Sequence, residues 1–296
     1  MLFGGLYNPR SCYSFSLSSQ QWTKLPDLPS DRRRHGSVVI GQSAYLVGGD
    51  NNKNVDEYDL STKQLRRITS MKTNRFDFGI CVYEKSKILI AGGWENGSSD
   101  SCFLYDTISN TFETIGNLNS RKYGHVLVSD GKTAYAIGGC LNNKVLDTIE
   151  VLHGETHKWK MLKTTLIIPR RYHQAVVNKN SIYIVGGTDG NKRTDAIERF
   201  DTLTGTIELL NVKLKLARNS PAVAMHMNDL YIVGGFTGEE KTRTVEILDM
   251  DKQEIRDGED VPAADCGSTA CIFDFAVQFP RYVKVSNTDM NAPAGK

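Results

Sequence analysis

An all-β chain, specifically a six-bladed β-propeller, is the fold that this sequence of 296 residues predicts, and three recurring signals predict it. The first is a double glycine at 4–5, 48–49, 92–93, 138–139, 186–187 and 234–235, at intervals of 44, 44, 46, 48 and 48 residues. Each pair closes a short apolar run, as in "MLFGG", "YLVGG" and "YAIGG". The second is an apolar pair spaced seven apart after each double glycine: Phe15/Trp22, Tyr58/Leu65, Tyr105/Phe112, Leu152/Trp159, Phe200/Ile207 and Leu248/Ile255. Polar turn residues such as "DLSTKQ" lie between the two members, which is a hairpin pattern. The third is an apolar stretch that begins about ten residues before the glycines, usually after an arginine: "RRHGSVVI", "RFDFGICVY", "RKYGHVLV", "RRYHQAVV", "RNSPAVAM".

With strands lettered A to D in chain order, each unit is a four-stranded antiparallel sheet in which the double glycine closes strand B. One such sheet cannot bury both faces alone, and stacking around a ring supplies the core. Glycine at the end of strand B permits positive φ and close approach of the next blade. The first unit starts at "MLFGG" with no strand A before it, whereas the other five are complete. A ring must close, because open sheet edges invite association. The segment "GSTACIFDF" (267–275) is the sixth A-like stretch, and residues 268–273 are expected to pair with the N-terminal strand. The propeller is thus assigned to 1–275, and 276–296 to a C-terminal extension whose small polar end is expected to be disordered.

Strand A after arginine, Gly-Gly ending strand B, and an aromatic pair seven apart resemble the kelch repeat. The Gly-His and Trp-Asp marks of WD40 repeats are absent. The aromatic pair is degraded: tryptophan remains only at 22 and 159, and aliphatic residues stand at 65, 207 and 255. Within that family the chain resembles the kelch domain of BTB-kelch ubiquitin-ligase substrate adaptors. In kelch domains a C-terminal strand commonly completes the N-terminal blade, as expected here. The resemblance also implies that cullin would be engaged only through an upstream BTB region, which this chain does not carry. The alternative is a kelch scaffold that binds actin or the cytoskeleton.

Strand direction reverses at each step, so the D–A and B–C loops emerge at one end of the ring, where a rigid scaffold usually places binding residues. Five of the D–A loops are basic, with Arg32, Arg33 and Arg34; Lys72 and Arg75; Arg121 and Lys122; Arg170 and Arg171; Lys213, Lys215 and Arg218. The sixth, "DGEDVPAAD", is acidic. Arginine suits bidentate capture of carboxylate. Phe76, Phe78, Tyr123 and Tyr172 stand beside it, and Leu6, Asp50, Trp94, Cys140, Thr188 and Phe236 follow the double glycines. Arginine with aromatics is the composition of protein-binding hot spots. In kelch adaptors the loop arginine and the residue after Gly-Gly often contact an acidic peptide. By that resemblance Arg75, Arg121, Arg170 and Arg218 carry over, while the register among Arg32 to Arg34 is ambiguous. The partner expected is an acidic protein or peptide, and reversing Arg121 and Arg170 is expected to abolish its binding without unfolding the chain.

Composition excludes other classes. There are 36 basic and 34 acidic residues, a net charge of +2, which argues against a general nucleic-acid binder. No apolar run reaches membrane-spanning length, and the start has no signal-peptide pattern. Six cysteines without a C-x-x-C pair read as free thiols in a reducing compartment, hence cytoplasmic, with nuclear or cytoskeletal placement compatible. His35, His125 and His173 recur at the start of strand A and read as structural. "HGETH" (153–157) lies on a hairpin turn and lacks the helical face of a zinc motif. Copper-oxidase and epimerase propellers are kelch-like, but His125, His173 and Tyr172 fall at neighbouring repeat positions rather than forming a ligand set. No catalytic residue, metal or cofactor is assigned, and the expectation is a non-enzymatic binding domain.

Overall fold

The computed structural model describes residues 1–154 and 156–270. Six four-stranded antiparallel sheets form the blades. Blade 2 comprises Gly36–Ile40, Ser43–Val47, Asn54–Asp59 and Leu65–Ser70 as strands A to D. Blade 3 comprises Gly79–Tyr83, Lys87–Ala91, Cys102–Asp106 and Thr111–Ile115. Blade 4 is Val126–Ser129, Ala134–Ile137, Thr148–His153 and Lys158–Thr165, with a small extra hairpin, Cys140–Leu141 and Lys144–Val145, in its B–C loop. Blade 5 is Gln174–Asn178, Ser181–Val185, Ala196–Asp201 and Ile207–Lys213. Blade 6 is Ala222–His226, Asp229–Val233, Val245–Asp249 and Glu254–Asp257.

Blade 1 is composite. Leu2–Phe3, Cys12–Ser16 and Gln21–Lys24 are its strands B to D, and Thr269–Ala270 is its strand A. Leu2 pairs with Ala270 and Phe3 with Thr269, so the ring closes through the C-terminal strand that the sequence predicts. Residues 271–273 of that expected strand, and the 276–296 extension, lie outside the described residues.

All six apolar pairs spaced seven apart are direct cross-strand partners in a C–D hairpin. In four of those hairpins an aspartate closes the turn. Asp59 accepts the N–H of Ser61 and Thr62 at 2.8 Å each, and Asp106, Asp201 and Asp249 do the same for the residues two and three ahead of them. At Asp59 the Ser61 hydroxyl also donates, at 2.6 Å, and with the two N–H donors it favours the charged carboxylate and holds it down at about 2.

Each of six clusters of buried apolar side chains lies between two successive blades. Strand alternation does this: Leu46 packs toward blade 1, while its neighbours Tyr45 and Val47 pack toward blade 3. The double glycines sit where blades touch. At Gly48 (φ +60) a Cβ would lie 2.7 Å from the carbonyl oxygen of Arg75 on the next blade, and at Gly186 (φ +64) 2.6 Å from that of Arg218. No larger side chain fits that gap or that conformation without strain. Cys81, Cys102, Cys140 and Cys266 are buried free thiols, and Cys12 is buried as well. No helix among the described residues is long and apolar enough to cross a membrane.

Candidate protein-binding mouth

The D–A loops build two layers at one end of the ring. The inner layer is one cation at each of five of the six blade boundaries. Arg32, Arg75, Lys122, Arg170 and Arg218 are at most 2% exposed, although each is charged. Each ties two blades together. The Arg170 carbonyl accepts the Gly139 N–H of blade 4 at 2.9 Å, while its guanidinium donates to the Gly186 carbonyl of blade 5 at 2.8 Å and pairs with Glu198. Arg218 repeats the arrangement with Gly187, Gly234 and Glu246, and Arg32 with Gly5, Gly48 and Asp56. Lys122 pairs with Glu150 at 2.7 Å. In blade 3 the acid comes from the B–C loop as Glu95, and Phe103 takes the strand position, with the Arg75 guanidinium 5.1 Å from its ring.

Three of these acids, Glu150, Glu198 and Glu246, also cap the incoming loops. Glu198 accepts the N–H of Ile167 at 2.8 Å and of Ile168 at 3.2 Å. Burial pushes the Arg170 pKa below its ordinary value, and Glu198 pulls the other way. Each enclosed cation is met by a carboxylate and by hydrogen bonds, which offsets the cost of taking a charge out of water.

The outer layer begins one residue later. Phe76, Tyr123, Arg171 and Asn219 bridge to Trp94, Cys140, Thr188 and Phe236, the residues after the double glycines. Asp50 N–H donates to the Arg33 carbonyl and Leu6 N–H to the Cys266 carbonyl, completing six such contacts around the ring. Two residues after the clamp, Arg34, Asp77, Gly124, Tyr172, Ser220 and Gly267 all have positive φ, between 50° and 67°. Their backbones link around the channel: Asp77 N–H to the Arg34 carbonyl, then Gly124 to Asp77, Tyr172 to Gly124, Ser220 to Tyr172, and Gly267 to Ser220, at 2.7–3.2 Å.

This collar surrounds a cavity of about 330 Å³ that leads into the central channel. His35, His125 and His173 line it below the collar, and burial holds them neutral, His35 and His125 down at about 3. On the side of blades 2 to 5 the rim is a platform of arginine and aromatic rings. The Arg34 guanidinium lies 5.2 Å from the Phe76 ring centre, and Trp94 stands edge-on to Tyr123 at 5.1 Å. Arg171 donates to the Tyr123 hydroxyl at 3.1 Å and lies 5.4 Å from the Tyr172 ring. On the far side Arg193 lies 5.1 Å from Phe236 and Lys241 4.1 Å from Tyr7.

The predicted site residues divide between the layers. Arg34, Tyr123, Tyr172, Trp94, Asp50, Leu6 and Phe236 are at the mouth, exposed or half-buried. Thr188 is there but buried, its hydroxyl bound to the Lys192 carbonyl at 2.8 Å. Arg32, Arg75, Arg170 and Arg218 are not offered to a partner, because their side chains are enclosed and spent on neighbouring blades. Arg121 is exposed, but Lys122 holds the clamp position, so the repeat register falls on the lysine. The ambiguity among Arg32 to Arg34 resolves with Arg32 inside and Arg34 at the rim. Sequence reasoning missed Lys122 as a clamp and Asp77, Tyr7, Arg193 and Lys241 as mouth residues. The clamp had a readable signal: Asp56, Glu150, Glu198 and Glu246 each stand two residues before the first member of the seven-apart pair, within apolar strands.

Residues 124–279 match the family model of the KLHDC2/KLHL20/DRC7 Kelch-repeats domain. Among curated proteins, a RING finger domain and kelch repeat-containing protein of Dictyostelium discoideum is 29% identical over 170 residues, 54% of this chain and 17% of that protein. Kelch-like protein 36 of Mus musculus is 29% identical over 138 residues, 44% of this chain and 22% of its own length. Alpha-scruin of Limulus polyphemus is 25% identical over 194 residues, 59% of this chain and 21% of that protein. In each the matched part is about a fifth of the relative's length. Over half of this chain lies within the matched family model, and the described residues before it repeat the same blade: the chain belongs to the kelch-repeat family, as a six-bladed interaction domain.

Proposed function

We propose that the mouth recognises an acidic segment of a partner protein, and that in the intact protein this recognition selects substrates for a cullin-RING ubiquitin ligase. One observation carries the reading: Arg34 and Arg171 lie on aromatic faces at the rim, with Trp94 and Tyr123 between them. A guanidinium held on a ring is pre-organised, so a carboxylate meets it at little entropic cost. Similarity to Kelch-like proteins, and to a relative in which kelch repeats accompany a RING finger, supports the ligase setting. A BTB region outside the propeller would make the cullin contact.

The test is a double variant, Arg34→Glu with Arg171→Glu, used beside wild type in partner capture and acidic-peptide binding. Binding should fall at least about tenfold, the scale of a lost hot spot, with the melting temperature within about 2 °C of wild type. Unchanged binding with a charge-reversed rim would reject the reading. Saturable actin co-sedimentation that ignores the substitution would instead favour a cytoskeletal scaffold.

A further inference from the structure

The collar contains one side-chain contact that skips a blade. Tyr172 belongs to the loop entering blade 5 and Asp77 to the loop entering blade 3, yet the Tyr172 hydroxyl donates to Asp77 Oδ2 at 3.3 Å. Gly124 of the intervening loop makes this possible. A Cβ on Gly124 would stand 2.9 Å from the Tyr172 ring, so the phenol crosses blade 4 where a side chain is missing. On the other side of the mouth the same collar position holds Ser220 and Gly267, which are too short to reach across.

We propose that Tyr172 and Asp77 form a proton-operated latch over the channel mouth, closed while the Asp77 carboxyl is ionised and released when it is protonated, so that protonation favours an anionic partner. The collar backbone is pinned by its own hydrogen bonds, which leaves the two side chains as the part that can move. Ionised Asp77 anchors the phenol and offsets the charge of Arg34. Neutral Asp77 is a weaker acceptor and leaves the Arg34 guanidinium with Asp50, at 3.8 Å, as its remaining counter-charge.

The groups around Asp77 are Arg34 and Asp50 from the blade 2 loops, and Tyr172 and Arg171 from blade 5. Burial, with Asp50 adding to it, raises the carboxyl to about 6 against the pull of Arg34 and Tyr172. The cavity histidines do not compete in that window, since His35 and His125 titrate near 3 and His173 well below its ordinary range.

The latch is read directly from the ¹³Cζ resonance of Tyr172 in tyrosine-labelled protein, assigned by its loss in Tyr172→Phe. It should titrate with a midpoint near pH 6 in wild type and stay flat in Asp77→Asn. The consequence, which rests on the mouth being an anion-binding surface, is read with a rhodamine-labelled peptide carrying two cysteic acids, whose sulfonates remain ionised. A bound anion that raises the Asp77 pKa by one unit gives about sixfold tighter binding at pH 5.5 than at 7.5. Asp77→Asn should bind equally at both. A wild-type Tyr172 resonance flat from pH 5 to 7.5, or a pH response that survives Asp77→Asn, overturns the proposal. Absence of peptide binding at every pH would count against the acidic-partner reading and against the proposed consequence, while the Tyr172 resonance still decides the latch.

Discussion

Arg170 and Arg171 are neighbours in sequence and belong to different parts of the molecule. Arg170 is fully enclosed between blades 4 and 5, its charge met by Glu198, whereas Arg171 lies half-buried at the rim against Tyr123 and Tyr172. The clamp position faces an acid on the following blade, and the next position faces the mouth. Residue type is the same, so register alone divides the stabilising function from the binding one. The double charge reversal at the rim and a substitution at the clamp should therefore separate cleanly.

The largest effect is expected from Arg170→Ala. It leaves Glu198 buried with two backbone donors and no counter-charge, which costs about 3–5 kcal/mol. Urea denaturation should show it, and Tyr172 reporters at the mouth should change only as the whole domain unfolds. A destabilisation below about 1 kcal/mol would mean that the clamp is ornamental. Replacing both partners, Arg170→Met with Glu198→Leu, should recover part of the loss. The remainder measures what Glu198 contributes by capping Ile167 and Ile168.

Blade 1 breaks the pattern and sharpens it. Its clamp position is Asp265, identified by its carbonyl, which accepts the Gly235 N–H at 2.9 Å as the arginine carbonyls do elsewhere. The matching strand position, two before Phe15, is Tyr13, so no acid waits for a cation. Asp265 turns to the loop after Gly4-Gly5 and accepts the N–H of Tyr7 at 3.1 Å and of Asn8 at 2.8 Å, besides Cys266 N–H at 2.7 Å. Ser268, three residues on, donates to the Gly4 carbonyl at 2.8 Å. The closing seam is thus held by an anion binding backbone, where the other boundaries use a cation bridging two blades. Asp265→Ala should cost about 1–3 kcal/mol by leaving those donors unmet. Asp265→Arg, which restores the repeat, should cost more than Asp265→Ala, because it buries a cation opposite Tyr13. The reverse order would show that the repeat consensus outweighs the local partner.

The comparison also explains what the sequence could carry. Blade number, the closing strand and every C–D hairpin register are periodic, and periodic signals survive without knowing any contact. The clamp is a pair in space: Arg170 and Glu198 lie in different strands and declare themselves only when the acid in "AIERF" is seen as an unusual charge in a buried strand. Arg121 and Lys122 show the cost of reading one member alone, since the arginine looked like the repeat residue and the lysine is. The Tyr172–Asp77 contact was further out of reach, because it depends on an absence, the side chain that Gly124 lacks.

The smallest effect concerns the position three residues after the clamp, where His35, His125 and His173 stand in blades 2, 4 and 5, and Phe78, Pro221 and Ser268 in blades 3, 6 and 1. Burial lowers His35 and His125 to about 3, and the cation three residues earlier adds to it: Arg32 for His35, Lys122 for His125. The unfolded chain binds protons at these histidines below pH 6.5 and the folded chain does not, so stability is whole above that pH and falls as pH falls, by about 1.4 kcal/mol per pH unit per histidine. Asp77 works in the opposite sense, since its raised pKa means that its ionisation costs stability as pH rises from about 4 to 6. His125→Phe, which copies blade 3, should flatten the dependence of the urea midpoint on pH between 6.5 and 5 by about one histidine's share, and change it little at pH 7.5. A slope equal to that of wild type would mean that His125 takes up its proton in the folded state. The ring of cations would then stand open to water from the channel, and the division between an enclosed clamp and an open mouth would fail at the level where it is drawn.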